Sequence, residues 1–354
     1  MLKYIIKRVV LILFTLFIIL SLAYILMQFT VDPFQRTNNY YIGERAATQG
    51  RFTWENAVDY AVKEGWGERV DIYEIDENGD PVLDKDGKPV IKEIKIVRIS
   101  VMKKYWNWLK NAVRGKWGVS LVIEYGEDPW VMVTELIPYT IRLNILPLLI
   151  STPLGFLFGI IAALRKNKPI DYIISLAVII CISVPSFVFI TLLMINATKM
   201  GLPIQFSSAD SVSWKDYVIP TIALSMGPIA GLTRITRAEL TEVLTSEYLL
   251  LARTKGLNRF QATIRHALRN SLLPLVPSII GSFVGIMFGS LVIEQIYGVK
   301  GVGRLLIDSI NKDKPDHDVA MVTLTFYTAI NLVTILIVDL AYGVVDPRIR
   351  MGAR

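Results

Sequence analysis

Six stretches of the chain are rich in apolar residues and contain no charged side chain. A bilayer core takes about 20 apolar helical residues to cross, and five of the stretches are of that length or longer. The sixth is shorter and contains Pro220, Gly227, Pro228 and Gly231, so it is predicted to be a broken or tilted span. In chain order the stretches are Val9–Phe29, Leu143–Leu164, Tyr172–Thr198, Tyr217–Thr233, Asn270–Ile293 and Val319–Val338.

The composition agrees with a membrane protein and excludes a disordered one. Of the 354 residues, 53% are hydrophobic and 19% are charged, and the mean hydropathy is +0.45. The single cysteine, Cys181, cannot form an intrachain disulfide. Lys3, Lys7 and Arg8 precede the first stretch as in a signal peptide, but no small-x-small cleavage site follows it, so a retained helix is predicted. The predicted fold class is therefore an all-α integral membrane protein with six transmembrane helices.

Basic residues are divided unequally among the segments between the stretches. If the N-terminus is inside, the inner segments hold sixteen Lys and Arg residues, against about seven in the short outer loops. This bias follows the positive-inside rule, so both termini are predicted to face the cytoplasm. The net charge of +7 then reflects topology and gives no reason to expect nucleic-acid binding. The inner segments are 1–8, 165–171, 234–269 and 339–354.

A long insert, residues 31–130, separates the first two spans and is predicted to lie outside the membrane as a small mixed α/β segment. It contains fifteen Lys or Arg and seventeen Asp or Glu residues. Helices are predicted at Thr53–Trp66 and Val101–Val113, and strands at Arg69–Asp76 and Val90–Ile99, with turns at Asn78-Gly79 and Asp86-Gly87. The predicted domains are the first helix with its inner N-terminus, 1–30, the insert, 31–130, and a five-helix core, 131–354.

The second predicted helix of the insert has an aromatic side formed by Tyr105, Trp106 and Trp108, together with Leu109. These residues either lie at the membrane interface or form a small core within the insert. The insert itself either caps the outer mouth of the helices or docks an outer partner. The sequence leaves both questions open.

The inner segment 234–269 has an unusual mixture of charge and apolar surface. It contains seven Lys or Arg and three Asp or Glu residues. Ser246 is predicted to cap a helix over Glu247–Lys255, Gly256 to end it, and Asn258 to start the next helix. The short helix carries four consecutive apolar residues, 248–251. A solvated loop has no need of them, whereas a helix that docks into a groove on another protein does.

This segment resembles the coupling loop of ABC-importer permeases. The general importer pattern is Glu-Ala-Ala, three residues, Gly, nine residues, and then Ile-x-Leu-Pro. The matching positions keep Ala252, Gly256 and Leu268, and the departures at Leu250, Leu251, His266 and Arg269 are usual in the dipeptide/oligopeptide branch. The sequences that carry the resemblance are Tyr-Leu-Leu-Leu-Ala-Arg-Thr-Lys-Gly-Leu at 248–257, Arg-His-Ala-Leu-Arg-Asn at 265–270 and Leu-Pro at 273–274.

Further motifs in the order of that branch extend the resemblance over most of the chain, leaving out only part of residues 31–115, and it is closest to a B-type chain. Lys300-Gly301 replaces the usual Pro-Gly before Gly-x-Gly-Arg. The other motifs include Gly-Val-Ser at 118–120, Pro-Tyr-Thr-Ile-Arg-Leu at 138–143, Ser-Val-Pro-Ser-Phe at 183–187, Arg-Ala at 237–238, Val-Ile-Glu at 292–294, Gly-Val-Gly-Arg-Leu at 301–305 and Asp-Pro-Arg-Ile-Arg at 346–350.

The resemblance implies a multi-pass subunit of the prokaryotic inner (plasma) membrane that imports di- or oligopeptides. Its implied partners are a second homologous permease, cytoplasmic ABC ATPase subunits, an extracytoplasmic solute-binding protein and the lipid bilayer. The chain has no G-x-x-x-x-G-K-[ST] sequence, so ATP and magnesium are expected on the ATPase subunits, with no cofactor or enzymatic activity here. The residues implied to couple to the ATPases are Glu247, Tyr248, Leu250, Leu251, Ala252, Arg253, Lys255, Gly256, Leu257 and Arg259.

The fifth stretch contains two further candidate features. Gly281, Gly285 and Gly289 recur at four-residue spacing, which favours close helix packing within this subunit or against a second permease. Glu294 lies at the outer end of the same span, either as a hydrated edge residue or as an acid of the transport pathway or its gate. Asp339 is interpreted as a hydrated edge residue.

Metal binding is not predicted. The only histidines, His266 and His317, fall on opposite sides of the membrane in the predicted topology. The carboxylates Asp313, Asp316 and Asp318 are typical of a solvated loop.

Two alternatives to peptide import stay open. Related permeases of the peptide branch also import oligosaccharides or metal chelates, and no residue of this chain identifies the cargo. A stand-alone secondary transporter or channel is expected to contain an intramembrane charged relay or inverted repeats, and neither is evident. The identity of the partner permease, and whether the ATPases are identical, are not encoded in this sequence.

Overall fold

The computed structural model describes residues 2–29, 58–59, 62–63, 65–76, 80–84, 87–124, 126–207, 212–268, 271, 275–311 and 315–345. The helices are α1 (Leu2–Met27), α2 (Val101–Val113), α3 (Pro129–Leu164), α4 (Pro169–Ser183), α5 (Ser186–Ala197), α6 (Trp214–Leu244), α7 (Glu247–Thr254), α8 (Arg259–Ala262), α9 (Leu275–Tyr297), α10 (Val302–Ser309) and α11 (His317–Val345). The strands are β1 (Gly67–Tyr73) and β2 (Ile91–Arg98). Most of the predicted helix Thr53–Trp66 and all of the turn Asn78-Gly79 lie outside the described residues, as does Asp86 of the second predicted turn.

The described part of the chain has up to six segments that are long and apolar enough to cross a membrane. Five helices, namely α1, α3, α6, α9 and α11, are long and apolar enough to cross a bilayer singly. The sixth span is the pair α4 and α5, which is bent by 99°. The prediction of six transmembrane helices is therefore confirmed.

The break lies in a different span from the one predicted. The stretch Tyr217–Thr233 belongs to α6, which runs on without a break through Pro220 and Pro228. Half of the most apolar part of α6 is buried, so its neighbours hold the helix together where the prolines remove hydrogen bonds. The bend falls instead at Val184, which adopts the extended conformation favoured before a proline, here Pro185.

The chain divides into two compact units whose boundaries fall within helices. The core unit comprises residues 1–14, 135–304 and 326–354, and the insert unit comprises residues 15–134 and 305–325. In the core unit, α5, α6 and α9 meet in an apolar cluster. Its fully buried members include Ile190, Ile219, Ile286 and Tyr297.

Within the core unit, α3 and α6 approach closely at two glycines. A Cβ atom added to Gly155 would lie 2.6 Å from the Leu232 Cβ, and one added to Gly159 would lie 2.5 Å from the Thr236 Cβ. The Thr233 hydroxyl also donates a hydrogen bond to the Gly155 carbonyl, at 3.3 Å. Small residues spaced four apart let helix backbones meet in a membrane. Gly-Phe-Leu-Phe-Gly at 155–159 is the sequence signal of this contact.

Gly159→Ala should therefore destabilise the protein by about 1–3 kcal/mol, the usual cost of overpacking a tight contact. Besides Thr236, the new methyl group would meet the Thr233 carbonyl oxygen at 2.9 Å, and that backbone atom cannot turn away. Thermal unfolding in detergent measures the effect. Gly281→Ala is the matched control, because its added Cβ meets no described atom within 4 Å. Equal loss of stability in the two variants would contradict the assignment.

The insert unit contains a two-stranded antiparallel sheet. β1 pairs with β2 from Gly67 opposite Arg98 to Tyr73 opposite Ile91, with an irregularity at Ile72/Tyr73. Both strands lie where the alternating pattern predicts them, and α2 has the predicted bounds. Ser100 caps α2 by accepting a hydrogen bond from the Lys103 amide.

The aromatic side of α2 packs in a way that neither alternative anticipated. Tyr105 and Trp108 are buried in a cluster with Leu20 and Tyr24 of α1 and with Met321. The Trp108 ring stacks on Tyr24, with centroids 4.6 Å apart, and the Tyr105 hydroxyl lies 2.8 Å from the Ser21 hydroxyl. Tyr105 and Trp108 therefore build a core that includes the first span, not one confined to the insert, whereas Trp106 is 52% exposed.

The interpretation of Asp316 and Asp318 as solvated is wrong. Asp316 is 1% exposed, and its Oδ2 accepts hydrogen bonds from the Ser120 hydroxyl and from the amides of residues 121–123 at 2.8–3.2 Å. Asp318 is also buried and lies against Gly118, whose φ is +81° and whose place no residue with a Cβ could take without overlap. The Gly-Val-Ser motif at 118–120 is thus fitted to two acids almost 200 residues away. Asp313 lies outside the described residues.

Asp316→Ala should lower the free energy of unfolding by about 1–3 kcal/mol or more, because it strands several donors in the 120–123 turn. Thermal unfolding of the purified chain measures the change. Glu127→Ala removes an exposed carboxylate close to the same turn and should have little effect. Similar melting temperatures for the Asp316 variant and the unmodified chain would show that the turn does not depend on this acid.

Candidate functional site: the helix after α6

The predicted coupling segment, 234–269, begins inside a helix. α6 continues to Leu244, so residues 234–244 belong to that helix and are not a loop. Two residues, Thr245 and Ser246, separate α6 from α7. Any displacement of α7 therefore acts on the end of a long membrane helix through a very short link.

α7 presents one apolar residue inward and three outward. Leu249 is 4% exposed and packs in a cluster with Ala163, Leu240, Ala262 and Ala267. Tyr248, in contrast, is 41% exposed, and Leu250 and Leu251 are each 57% exposed. Leu249 thus holds α7 on the core unit, while its three apolar neighbours are free to contact another molecule.

The ends of α7 are fixed by local chemistry. Ser246 precedes the helix as predicted, but its hydroxyl donates to the Val243 carbonyl at 2.6 Å and does not cap α7 through its side chain. Gly256 follows the helix with φ +97°, a conformation that favours glycine. Asn258 caps α8 as predicted, since its Oδ1 accepts from the Gln261 amide at 2.8 Å.

The other residues of the candidate site differ in exposure. Glu247, Lys255 and Gly256 are exposed, and Ala252 and Leu257 are half-buried. The side chains of Arg253 and Arg259 are outside the described atoms. A π-helical turn, Thr263–Leu268, follows α8. The site is a surface for contact, and among the described residues no group of His, Cys, Asp or Glu side chains could hold a metal ion.

Glu294 is buried, not hydrated. It is 0% exposed and lies near the end of α9. Its Oε2 accepts from the Arg304 amide at 3.1 Å, and its Oε1 accepts from the Ser290 hydroxyl at 3.3 Å. The Gly303 amide and the Thr140 hydroxyl also donate to this carboxylate. One acid thus joins α3, α9 and the turn that leads into α10.

Two glycines of the Gly-Val-Gly-Arg motif make room for this carboxylate. A Cβ added to Gly301 would overlap the carboxylate and lie 2.7 Å from the Thr140 hydroxyl oxygen. A Cβ added to Gly303 would lie 2.7 Å from the Glu294 Oε2 and 2.8 Å from the Leu291 Cα. The motif and the acid are separate features of the sequence, and only the fold brings them together.

The remaining candidate residues occupy other parts of the core unit. Cβ atoms added to Gly281 and Gly285 would meet no described atom within 4 Å, so this face of α9 is open; Gly289 is outside the described side chains. Asp339 is not simply hydrated, because its Oδ2 lies 3.1 Å from Nη1 of Arg8.

The chain matches known transport proteins, one of them over almost its whole length. Residues 155–351 match the family described as "Binding-protein-dependent transport system inner membrane component". The dipeptide transport system permease DppB of Lactococcus lactis is 32% identical over 99% of this chain and 100% of its own, so the likeness includes the insert.

Two more relatives match 60% and 71% of this chain. DppB of Bacillus subtilis is 39% identical over 60% of this chain and 68% of its own length. The oligopeptide permease OppB of Escherichia coli K12 is 32% identical over 71% of this chain and 81% of its own. The resemblance inferred from the sequence motifs is thereby confirmed. This chain belongs to the family of inner membrane components of binding-protein-dependent transport systems, and it is a permease subunit of an ABC importer.

Proposed function

We propose that this chain forms half of the translocation path of an importer for di- and oligopeptides. The observation that carries the cargo assignment is the end-to-end similarity to a dipeptide permease, including the insert. Further support comes from the oligopeptide permease that matches most of the chain. Oligosaccharides and metal chelates are the competing cargoes, and no described residue favours them.

In this proposal, α7 is the coupling helix that docks on a cytoplasmic ATPase subunit. Its support is the exposure of Tyr248, Leu250 and Leu251 beside the charged residues Glu247 and Lys255. An apolar helix face with a polar rim is suited to a groove on a partner. Ala252, Arg253, Gly256, Leu257 and Arg259 complete the proposed contact. ATP and magnesium bind to the ATPases, and this chain converts their closure into movement of α6.

A second permease completes the path. The α9 face at Gly281 and Gly285 supports this assignment, because Cβ atoms added there would meet no described atom within 4 Å. At the internal α3–α6 contact, by comparison, Cβ atoms added to Gly155 and Gly159 would overlap the facing helix. Small residues at an interface let two helices approach without a hydrophobic driving force. In this proposal Glu294, which accepts hydrogen bonds from the amides at the start of α10, stabilises an outer gate.

The proposed topology places both termini in the cytoplasm and residues 31–130 outside. The excess of basic residues in the short segments on one side supports it. The insert then lies on the same side as an extracytoplasmic solute-binding protein, which delivers the cargo.

Purification of the tagged chain from its native membrane, followed by mass spectrometry and transport assays, tests the proposal. The expected companions are a second six-span protein and ATPases with phosphate-binding loops. Proteoliposomes containing the complex and its binding protein should accumulate radiolabelled dialanine only with ATP inside. Excess unlabelled dipeptide should compete, and maltose should not. Recovery of the chain alone, with uptake independent of ATP, would favour a stand-alone transporter instead.

A further inference from the structure

A partly buried ion pair joins two membrane helices of the core unit, because the Arg237 side chain is 32% exposed while its partner is buried. Asp171 lies in the first turn of α4 and is 1% exposed. Arg237 of α6 makes a bidentate contact with the Asp171 carboxylate, with Nε 2.6 Å from Oδ1 and Nη2 2.8 Å from Oδ2. Such a fork fixes the relative orientation of two helices more tightly than a single contact does.

The same carboxylate closes the turn between α3 and α4. Its Oδ2 accepts a hydrogen bond from the Asn167 amide at 2.9 Å. Asn167 has φ +61°, a left-handed conformation that asparagine tolerates better than most residues. Asp171 therefore ties the α3–α4 turn, α4 and α6 to one another.

Arg237 lies close in sequence to the residues that seat α7. Leu240 follows it by one helical turn and packs with the buried Leu249 of α7. α6 ends at Leu244, and α7 begins at Glu247. Near its end, α6 thus packs against α7 through Leu240, and one turn earlier it binds Asp171 through Arg237.

Stability alone does not account for such a pair. Water reaches the Arg237 side chain and screens the attraction, and the cost of burying Asp171 offsets more of it, so the pair contributes little net stability. A bidentate pair is instead suited to hold α4 and α6 in a fixed relative position when the two helices move together.

We propose that Asp171 and Arg237 are positioning residues that transmit the displacement of α7 to α4, so that ATP hydrolysis moves the transport path. This inference rests on the proposed function of α7 as the coupling helix. The pair acts through α6 and contacts neither cargo nor nucleotide. Loss of the pair leaves the complex assembled but uncouples ATP hydrolysis from transport. Loss of the α7 surface instead makes the ATPase subunits dissociate.

The test uses the intact complex in proteoliposomes, with dialanine uptake and ATP hydrolysis measured in the same preparation. Asp171→Asn and Arg237→Gln should each retain the ATPase subunits, yet lower uptake per ATP hydrolysed by about tenfold, an ordinary size for coupling between sites. Because the residues act as a unit, the double variant should lose no more than either single variant. Arg237→Lys keeps the positive charge but not the bidentate contact, so its uptake per ATP should lie between those of the unmodified complex and of Arg237→Gln.

Arg234→Ala is the matched control, since Arg234 is an exposed arginine one turn earlier on α6, and its uptake per ATP should be unchanged. Unchanged coupling in the single variants, or losses that add in the double variant, would overturn the proposal. Loss of bound ATPases from the single variants and from Arg237→Lys alike would also overturn it, because a purely structural role predicts that result. A wild-type complex without ATP-driven uptake would instead refute the proposed function.

Discussion

Replacing Leu250 and Leu251 together with glutamate should leave a folded chain that no longer retains its ATPase subunits. Both side chains are 57% exposed in the isolated chain, so the substitutions remove little internal contact. A fully buried leucine contributes about 1.5–3 kcal/mol, and two of them at an interface correspond to a loss of affinity of about 100-fold or more. Co-purification of the ATPases and ATP-dependent uptake should therefore fail together.

Leu249→Ala is the matched control, because it alters the adjacent residue with the opposite orientation. Leu249 is buried against Leu240 and Ala262, so its truncation should cost about 2–5 kcal/mol of stability. The glutamate variant should melt at the temperature of the unmodified chain, and the Leu249 variant well below it. ATPase binding by the glutamate variant at unmodified affinity would contradict the docking assignment.

Gly303→Ala should disrupt the turn around Glu294, at a cost of at least about 1–3 kcal/mol from overpacking. The added methyl group would meet the Leu291 Cα at 2.8 Å, and a backbone atom within α9 cannot move aside. At Gly301, in contrast, the nearest atoms belong to the side chains of Glu294 and Thr140. Thermal unfolding in detergent and the yield of folded protein measure both effects.

Truncating the acid distinguishes the two glycines. In an Glu294→Ala background, Gly301→Ala should cost less than it does with the acid present, because the carboxylate it meets is gone. Gly303→Ala should stay destabilising there, since its backbone contact persists. Gly285→Ala adds a methyl group to α9, the helix that contains Glu294, where it would meet no described atom within 4 Å, and should be close to neutral. Equal relief of both glycine substitutions would contradict this geometry.

The spans were predictable from the sequence because apolar length alone determines them. The position of the break was not. Pro185 bends its span, whereas Pro220 and Pro228 lie within a continuous α6. Proline removes a hydrogen bond in each case, and the outcome depends on how far neighbouring helices enclose the segment.

Residues that depend on distant partners were the hardest to interpret. Asp171, Glu294 and Asp316 all resemble edge or loop carboxylates in the sequence, and all are at most 1% exposed. Their donors lie up to almost 200 residues away along the chain. No local pattern announces such pairings, although the glycines beside Glu294 and Asp318 could have suggested a close approach.

The candidate coupling helix was predicted closely because its signals are local. An N-terminal boundary at Ser246, a glycine at 256 and consecutive apolar residues define α7 within one residue of its observed end. Its orientation was not predictable, since burial of Leu249 depends on Ala163 and Ala262. The packing of Tyr105 and Trp108 was not predictable for the same reason, because their partners lie on α1 and α11.

Photo-cross-linking from position 248 is the most direct test of the coupling assignment. A benzoylphenylalanine in place of Tyr248 keeps an aromatic ring on the exposed face of α7, and the same substitution at the exposed Phe14 of α1 is the control. In native membranes, position 248 should yield an adduct with an ATP-binding protein, and position 14 should not. Adducts of position 248 with lipid or with this chain alone would contradict the account.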